Sequence, residues 1–166
     1  MSTPLPPIVI MGVSAVGKTT VGLEIARQSG GSFIDADDLH GAANVAKMSA
    51  GIPLDDDDRW PWLDRVGAAL LPGTVVACSA LRRVYRDALR RRAPDAFFVH
   101  LDADATILLE RAADREGHFM PPALLASQFD TLEPLQGDES GIVVDVDALA
   151  PSAIAERALD GVRGTG

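Results

Sequence analysis

Ile8-Val9-Ile10-Met11-Gly12-Val13-Ser14-Ala15-Val16-Gly17-Lys18-Thr19-Thr20 joins a short apolar run to a glycine-bracketed loop and then to a Lys-Thr pair. The eight residues from Gly12 to Thr19 have the spacing G-x-x-x-x-G-K-T of a phosphate-binding loop. Gly12 and Gly17 allow the backbone to curl so that successive N–H groups face one anion. Lys18 can reach the β- and γ-phosphates as a point charge, and the Thr19 hydroxyl suits a Mg²⁺ ion. The flanks agree with this reading. Residues 8–11 are a buried-strand pattern, and Val21 and Ile25 repeat at i,i+4 as on a packed helix. The helix start adds its dipole to the anion site. Gly12, Val13, Ser14, Ala15, Val16, Gly17, Lys18, Thr19 and Thr20 are therefore the candidate nucleotide contacts. Ala15 occupies a place where many small-molecule kinases carry glycine, and its methyl group is expected to be tolerated at negative φ.

Working outward, 166 residues suffice for one domain with a sizeable core. A net charge of −9 argues against a nucleic-acid-binding face. It also means that positive charge for an anionic ligand must be local, from Lys18, Arg59, the group Arg82, Arg83 and Arg86, or Arg111 with Arg115. Cys78, the only cysteine, falls in an apolar strand pattern and reads as a small buried hydrophobe. Residues 1–7 lack the basic and apolar regions of a secretory signal, and no apolar run approaches membrane-spanning length. A cytoplasmic protein without nucleic-acid or membrane partners is expected.

Strand-like runs at 7–11, 32–35, 74–78, 97–101 and 142–146 alternate with helical patterns. One stripe is Ala105, Leu108, Leu109 and Ala112, with Asp104 as its cap; others are Leu125, Phe129 and Leu132, and Ile154, Ala158 and Val162 after Pro151. This alternation predicts an α/β fold with a five-stranded parallel sheet covered on both faces. Two segments fall outside the rhythm. Residues 38–70 are read as a substrate-binding insertion and 115–122 as a lid, the places where a second substrate and a closing element belong in a transferase.

Asp35 and Asp37 follow the second strand, at the sheet end where ligands bind. They suit a metal and a substrate hydroxyl, the bland alternative being helix capping, for which Asp38 is the better candidate. Asp55 to Asp58 read as the start of a helix rather than a metal loop, with Pro61 in the first turn. Arg59 then suits bidentate recognition of a carboxylate, or a surface pair with those aspartates. Arg82, just past the third strand, is expected to face the cleft, whereas Arg83, Arg90, Arg91 and Arg92 read as a solvated helix face. Arg111 and Arg115 are four apart and share a helix face, where they could fold over a phosphate or simply favour a helix end. His40, His100 and His118 show no metal spacing, and His100 reads as structural.

Taken together, these blocks resemble gluconokinases. The matching stretches are Gly12 to Thr19, Asp35 to His40, Asn44 to Met48, Gly51 to Leu63, Cys78 to Asp87, Gly117 to Met120 and Ser127 to Glu133. The resemblance spans about residues 8–147 in the same order. The Asp56-to-Leu63 and Cys78-to-Asp87 blocks are specific to the family, whereas the phosphate loop is generic. Ala15, Val16 and Gly41 depart from its usual pattern. The resemblance implies a fold like that of nucleoside-monophosphate and shikimate kinases, and ATP- and Mg²⁺-dependent phosphorylation of D-gluconate at its 6-hydroxyl by a homodimer. Onto this sequence it carries Lys18, Asp37, Arg111 and Arg115 as the catalytic set. Asp37, His40, Lys47, Arg59, Arg82 and His118 become the acceptor contacts, and Thr19 and Asp35 the metal contacts. A sibling kinase for another small acid, or a nucleotide-binding regulator without an acceptor site, would keep the loop but need no such blocks.

Overall fold

The computed structural model describes residues 3–114 and 122–164. Five strands, β1 (Ile8–Met11), β2 (Ser32–Asp35), β3 (Thr74–Ala77), β4 (Phe97–Asp102) and β5 (Gly141–Asp145), form one parallel sheet in the order β2-β3-β1-β4-β5. The helices are α1 (Lys18–Ser29), α2 (Ala42–Ser49), α3 (Asp56–Ala69), α4 (Arg83–Arg92), α5 (Ala105–Asp114), α6 (Pro122–Thr131) and α7 (Pro151–Gly164).

The strands are apolar on both faces because both faces are covered. Side chains alternate along β1: Ile8 and Ile10 join one core, with α1 and α7 residues such as Ile25, Ala155 and Leu159. Val9 and Met11 join the other, with Leu63 and Val66 of α3 and Leu89 of α4. Each face of the sheet is thus buried against its own pair of helices.

The central strand β1 pairs with β3 on one side and β4 on the other, and the chain leaves it straight into the phosphate loop. The loop therefore sits where connections diverge to the two halves of the sheet, the usual ligand crevice of an open parallel sheet. Gly12 is required there. Its φ is +146°, and a Cβ would lie 2.8 Å from the Leu101 carbonyl oxygen at the end of β4.

Two element boundaries differ from the sequence reading. Helix α3 starts at Asp56, capped by a reciprocal box in which the Asp55 carboxylate accepts from the Asp58 N–H and the Asp58 carboxylate from the Asp55 N–H. Pro61 is consequently its sixth residue, not part of its first turn, and the carbonyl of Asp57 loses its helical donor. After β2 the chain does not stay extended: Ala36–Leu39 form a 3₁₀ turn capped by Asp35, whose carboxylate accepts from the Asp37 N–H at 2.9 Å. The capping role expected of Asp38 thus belongs to Asp35. Elsewhere the caps follow expectation, Asp104 accepting from the Ile107 N–H and Pro151 opening α7.

Candidate active site

The phosphate loop encloses one wall of a cavity of about 420 Å³, lined by Ser14, Ala15, Gly17, Lys18, Thr19, Thr20, Asp35, Asp37, Ala77, Cys78 and Ser79. The loop, the Asp-x-Asp turn and the end of β3 thus meet at one place, as the strand order requires. Thr20 and Thr19 sit in the first turn of α1, whose free N–H groups and dipole favour an anion.

The Lys18 ammonium donates to the carbonyl oxygens of Gly12 at 3.0 Å and Val13 at 2.8 Å, folded back over its own loop. Burial pulls its pKa down to about 8, against the carboxylates of Asp37 and Asp35, which favour the charged form. Burial pushes the Asp37 carboxyl up, and the neighbouring Asp35 charge adds to the rise. A raised carboxylate at the cavity wall is a better proton acceptor than an ordinary aspartate. Cys78 is fully buried behind the cavity and its thiol is pushed up to about 12 by desolvation, which leaves it protonated and inert, as its strand setting suggested.

The loop backbone is held in strained form. Ala15 has φ +68°, in the left-handed region, so the expected negative φ is not what the chain adopts. Its neighbours are fixed from outside the loop: the Gly12 N–H donates to the Ser79 carbonyl at 3.2 Å, and the Ser14 N–H to Gln128 Oε1 at 2.6 Å. Ser79 itself lies beside Ala80, at φ +46°. That turn is tied down by Arg86, whose Nη1 donates to the Ala80 and Leu81 carbonyls at 2.9 and 3.4 Å.

Arg86 is wholly buried, which corrects its place among the charges available to a ligand. Its Nε and Nη2 donate to the two oxygens of Glu139 at 2.7 and 3.0 Å, and Nη2 also to the Pro134 carbonyl at 3.2 Å. Glu139 further accepts from Arg90 and from the Gln136 N–H. Arg90 lies over the Phe98 ring at 4.7 Å, and Arg83 pairs bidentately with Asp138, so neither belongs to a free solvated face. His100 is buried in β4, as expected of a structural histidine.

The acceptor-side candidates form a second cluster next to the cavity. Asp56 takes three donors: Tyr85 Oη at 2.6 Å and Arg59 Nη1 at 3.4 Å on Oδ1, and Arg82 Nη1 at 3.1 Å on Oδ2. Both guanidinium groups also face the Tyr85 ring, Arg59 at 5.7 Å and Arg82 at 5.3 Å. Arg82 additionally pairs with Glu133 at 3.5 Å. Arg59 and Arg82 are thus together, as a carboxylate clamp needs, but neither lines the loop cavity. The pair with a neighbouring aspartate, weighed for Arg59 from sequence, is present.

Lys47 is tied to Asp58 at 2.7 Å, which makes it a brace between α2 and α3. His40 stacks on Trp62 with ring centroids 4.2 Å apart, and its Nδ1 accepts from Asn44 Nδ2, which leaves the proton of the neutral ring on Nε2. Burial lowers its pKa, so the neutral form is favoured. Asn44 also donates to the Asp58 carbonyl, Trp62 to the Ala36 carbonyl and Arg65 to the Leu39 carbonyl. These bonds fasten the 38–70 segment to the Asp-x-Asp turn. Arg111 lies exposed on α5, whereas Arg115, His118 and the 115–122 lid reading fall outside the described residues, apart from Pro122 at the start of α6.

Asp56, Tyr85, Gln128 and Glu139 are the site residues that sequence reading did not single out. Gln128 carried a signal, since it interrupts the apolar stripe of Leu125, Phe129 and Leu132. Glu139 carried none, because only the fold brings it under Arg86.

A phosphate loop on the central strand of a 2-3-1-4-5 parallel sheet, facing an Asp-x-Asp turn with an arginine cluster outside the cavity, defines a small-molecule kinase. The shikimate kinase family profile matches residues 14–162. The thermosensitive gluconokinase of Escherichia coli K12 is 49% identical over 142 residues, covering 81% of this chain and 75% of that protein. A probable gluconokinase of Xenopus tropicalis is 45% identical, covering 84% and 85%. A solved gluconokinase structure from Sinorhizobium meliloti superposes with a TM-score of 0.87 at 46% identity, covering 99% of this chain and 95% of that one. The chain belongs to the gluconokinase family, within the shikimate kinase type.

Proposed function

We propose that this chain transfers the terminal phosphoryl group of ATP to the 6-hydroxyl of D-gluconate. The observation that carries the reading is the shared cavity: Lys18 and the loop amides on one wall, Asp37 with its raised pKa on the other. Phosphoryl transfer needs positioning and charge neutralisation more than covalent help. The loop N–H groups and Lys18 hold the phosphates. Asp37 orients the acceptor hydroxyl and takes its proton as the oxygen bonds to phosphorus and the bond to the ADP oxygen breaks. Arg59 and Arg82 bind the carboxylate of the sugar acid, with His40 and Lys47 bracing the acceptor segment. Arg111 or Arg115 covers the terminal phosphate.

The residues also fit a Mg²⁺ ion. Thr19 offers a hydroxyl, and Asp35, with one oxygen on the Asp37 N–H, keeps its other oxygen for the ion or its water. Such a sparse protein contribution suits magnesium, which takes its remaining ligands from phosphate and water and neutralises the charge of the polyphosphate. The family resemblance adds a cytoplasmic homodimer, which light scattering on the purified protein would measure. No helix among the described residues is long and apolar enough to cross a membrane.

A panel of acids with ATP and Mg²⁺ tests the proposal, with ADP release and the phosphorylated product as readouts. D-gluconate alone should stimulate release at least about tenfold, a modest demand for a dedicated kinase. Stimulation by shikimate or another sugar acid instead assigns a sibling kinase. ATP binding without stimulation by any acid assigns a nucleotide-binding regulator.

A further inference from the structure

Gln128 is a polar side chain at an apolar position. It stands three residues after the wholly buried Leu125 and four before Leu132, which packs on the core just past the end of α6 with its N–H on the Gln128 carbonyl, so all three lie along one face of the helix and its closing turn. A break in an otherwise consistent apolar face marks a functional demand more often than an error. The contact it makes is specific: Oε1 accepts from the Ser14 N–H at 2.6 Å, across 114 positions of sequence.

The helix holds the side chain firmly in place. Just beyond α6, the Glu133 N–H donates to the Leu81 carbonyl at 2.7 Å, and the Glu133 carboxylate accepts from the Arg83 N–H at 3.2 Å. Ser14 immediately precedes Ala15, whose left-handed backbone has to be held by something outside the loop. With Oε1 committed to Ser14, covalent geometry keeps the amide nitrogen within about 5 Å of the same N–H. That Nε2 carries two donors, and no partner occupies them among the described residues. Ser14 lines the cavity shared with Asp35 and Asp37, and Gln128 stands just outside that lining, held to it through the Ser14 N–H.

We infer that Gln128 positions the phosphoryl group being transferred, its carbonyl fixing the loop at Ser14 and its NH₂ donating to an oxygen of the terminal phosphate. The inference rests on the reading of the loop as an ATP site. Gln128 thereby takes the Ser14 N–H out of the row of loop donors and puts a side-chain donor from another part of the chain in its place.

Gln128→Glu separates the two halves of this role. Glutamate keeps an acceptor for the Ser14 N–H in nearly the same volume, but replaces the donor by an anion. Calorimetric titration of wild type and variant with ATP and with ADP, beside melting curves, gives the answer. The variant should melt as wild type does, bind ADP within about threefold of it, and bind ATP at least about tenfold more weakly, the size of one lost charge-assisted bond. Gln128→Leu, which removes both halves, should also weaken ATP more than ADP. Equal losses for the two nucleotides, or no loss in the glutamate variant, overturn the assignment and leave Gln128 a structural latch. A wild-type protein that binds neither nucleotide overturns this and the ATP reading together.

Discussion

Ala15 shows how one methyl group bears on the loop. A non-glycine residue at φ +68° sits in a region that costs L-residues roughly 1–2 kcal/mol. Ala15→Gly should therefore stabilise the protein by about 0.5–1 kcal/mol, after the extra freedom glycine gains in the unfolded chain. Denaturant melts of the two proteins measure it, and a destabilised variant would contradict the strain. Lys18 makes a separate prediction about pH. Its pKa of about 8 in the free protein lies below the ordinary lysine value because the site is buried. Bound phosphate favours the charged form, so ATP binding above pH 8 should take up about one proton, and affinity should fall by up to about tenfold per pH unit there. Below that pH the ammonium is already present and this dependence vanishes. For folding the sign is opposite: between about 8 and 10.5 the unfolded chain holds the extra proton, so this group's contribution to stability improves as pH rises. Titrations in buffers of different ionisation heat read the proton uptake directly. The role proposed for Arg59 is to bind the acceptor. Arg59→Lys should raise KM for gluconate by roughly ten- to a hundred-fold, since an ammonium cannot reproduce two parallel bonds to a carboxylate, and leave KM for ATP nearly unchanged. If the pair with Asp56 is its whole role, gluconate KM will stay where it is.

Among the elements, the turn after β3 is the one that buried charge controls. Glu139 and Arg86 form an ion pair with both side chains inaccessible, and Arg86 passes that order to Ala80 and so to the base of the phosphate loop. Breaking such a pair leaves a buried charge without a partner, at a cost of about 3–5 kcal/mol. Glu139→Ala should lower the melting temperature by on the order of 10 °C and weaken nucleotide binding with it, because the turn that supports Gly12 loosens. A variant that melts normally would show that water or Asp138 replaces the carboxylate. The strands and helices were legible from the sequence, since apolar runs of four to six residues and i,i+4 repeats are local patterns. The start of α3 was misjudged because Pro61 is a strong local signal for a first turn, while the Asp55–Asp58 box that sets the true start is written only in aspartates. Arg86 and Arg90 were misread for a different reason: on a helix with five arginines, Arg86 reads as a charge open to a ligand and Arg90 as solvated until the fold brings Glu139 and Phe98 to them.

At the scale of the whole molecule, the loop, the Asp-x-Asp turn and the arginine cluster come from segments far apart in sequence, and the strand order brings them together. The parallel five-stranded sheet followed from the alternation of strands and helices, but its strand order and the side-chain bonds across it, Ser14 to Gln128 above all, did not. The central place of β1 has a consequence for exchange with solvent. Its backbone is bonded on both edges, to β3 and to β4, and its residues 8–11 are all buried between two cores. Their amide protons should be released only when the whole chain opens, whereas those of α2 and of the 3₁₀ turn beyond edge strand β2 should escape through local openings. Deuterium uptake followed by mass spectrometry would show the gradient, slowest at the root of the phosphate loop and fastest on the acceptor side. Such a pattern means that the anchor for the nucleotide is as durable as the fold itself, while the segment proposed to admit the acid opens and closes repeatedly without putting that anchor at risk.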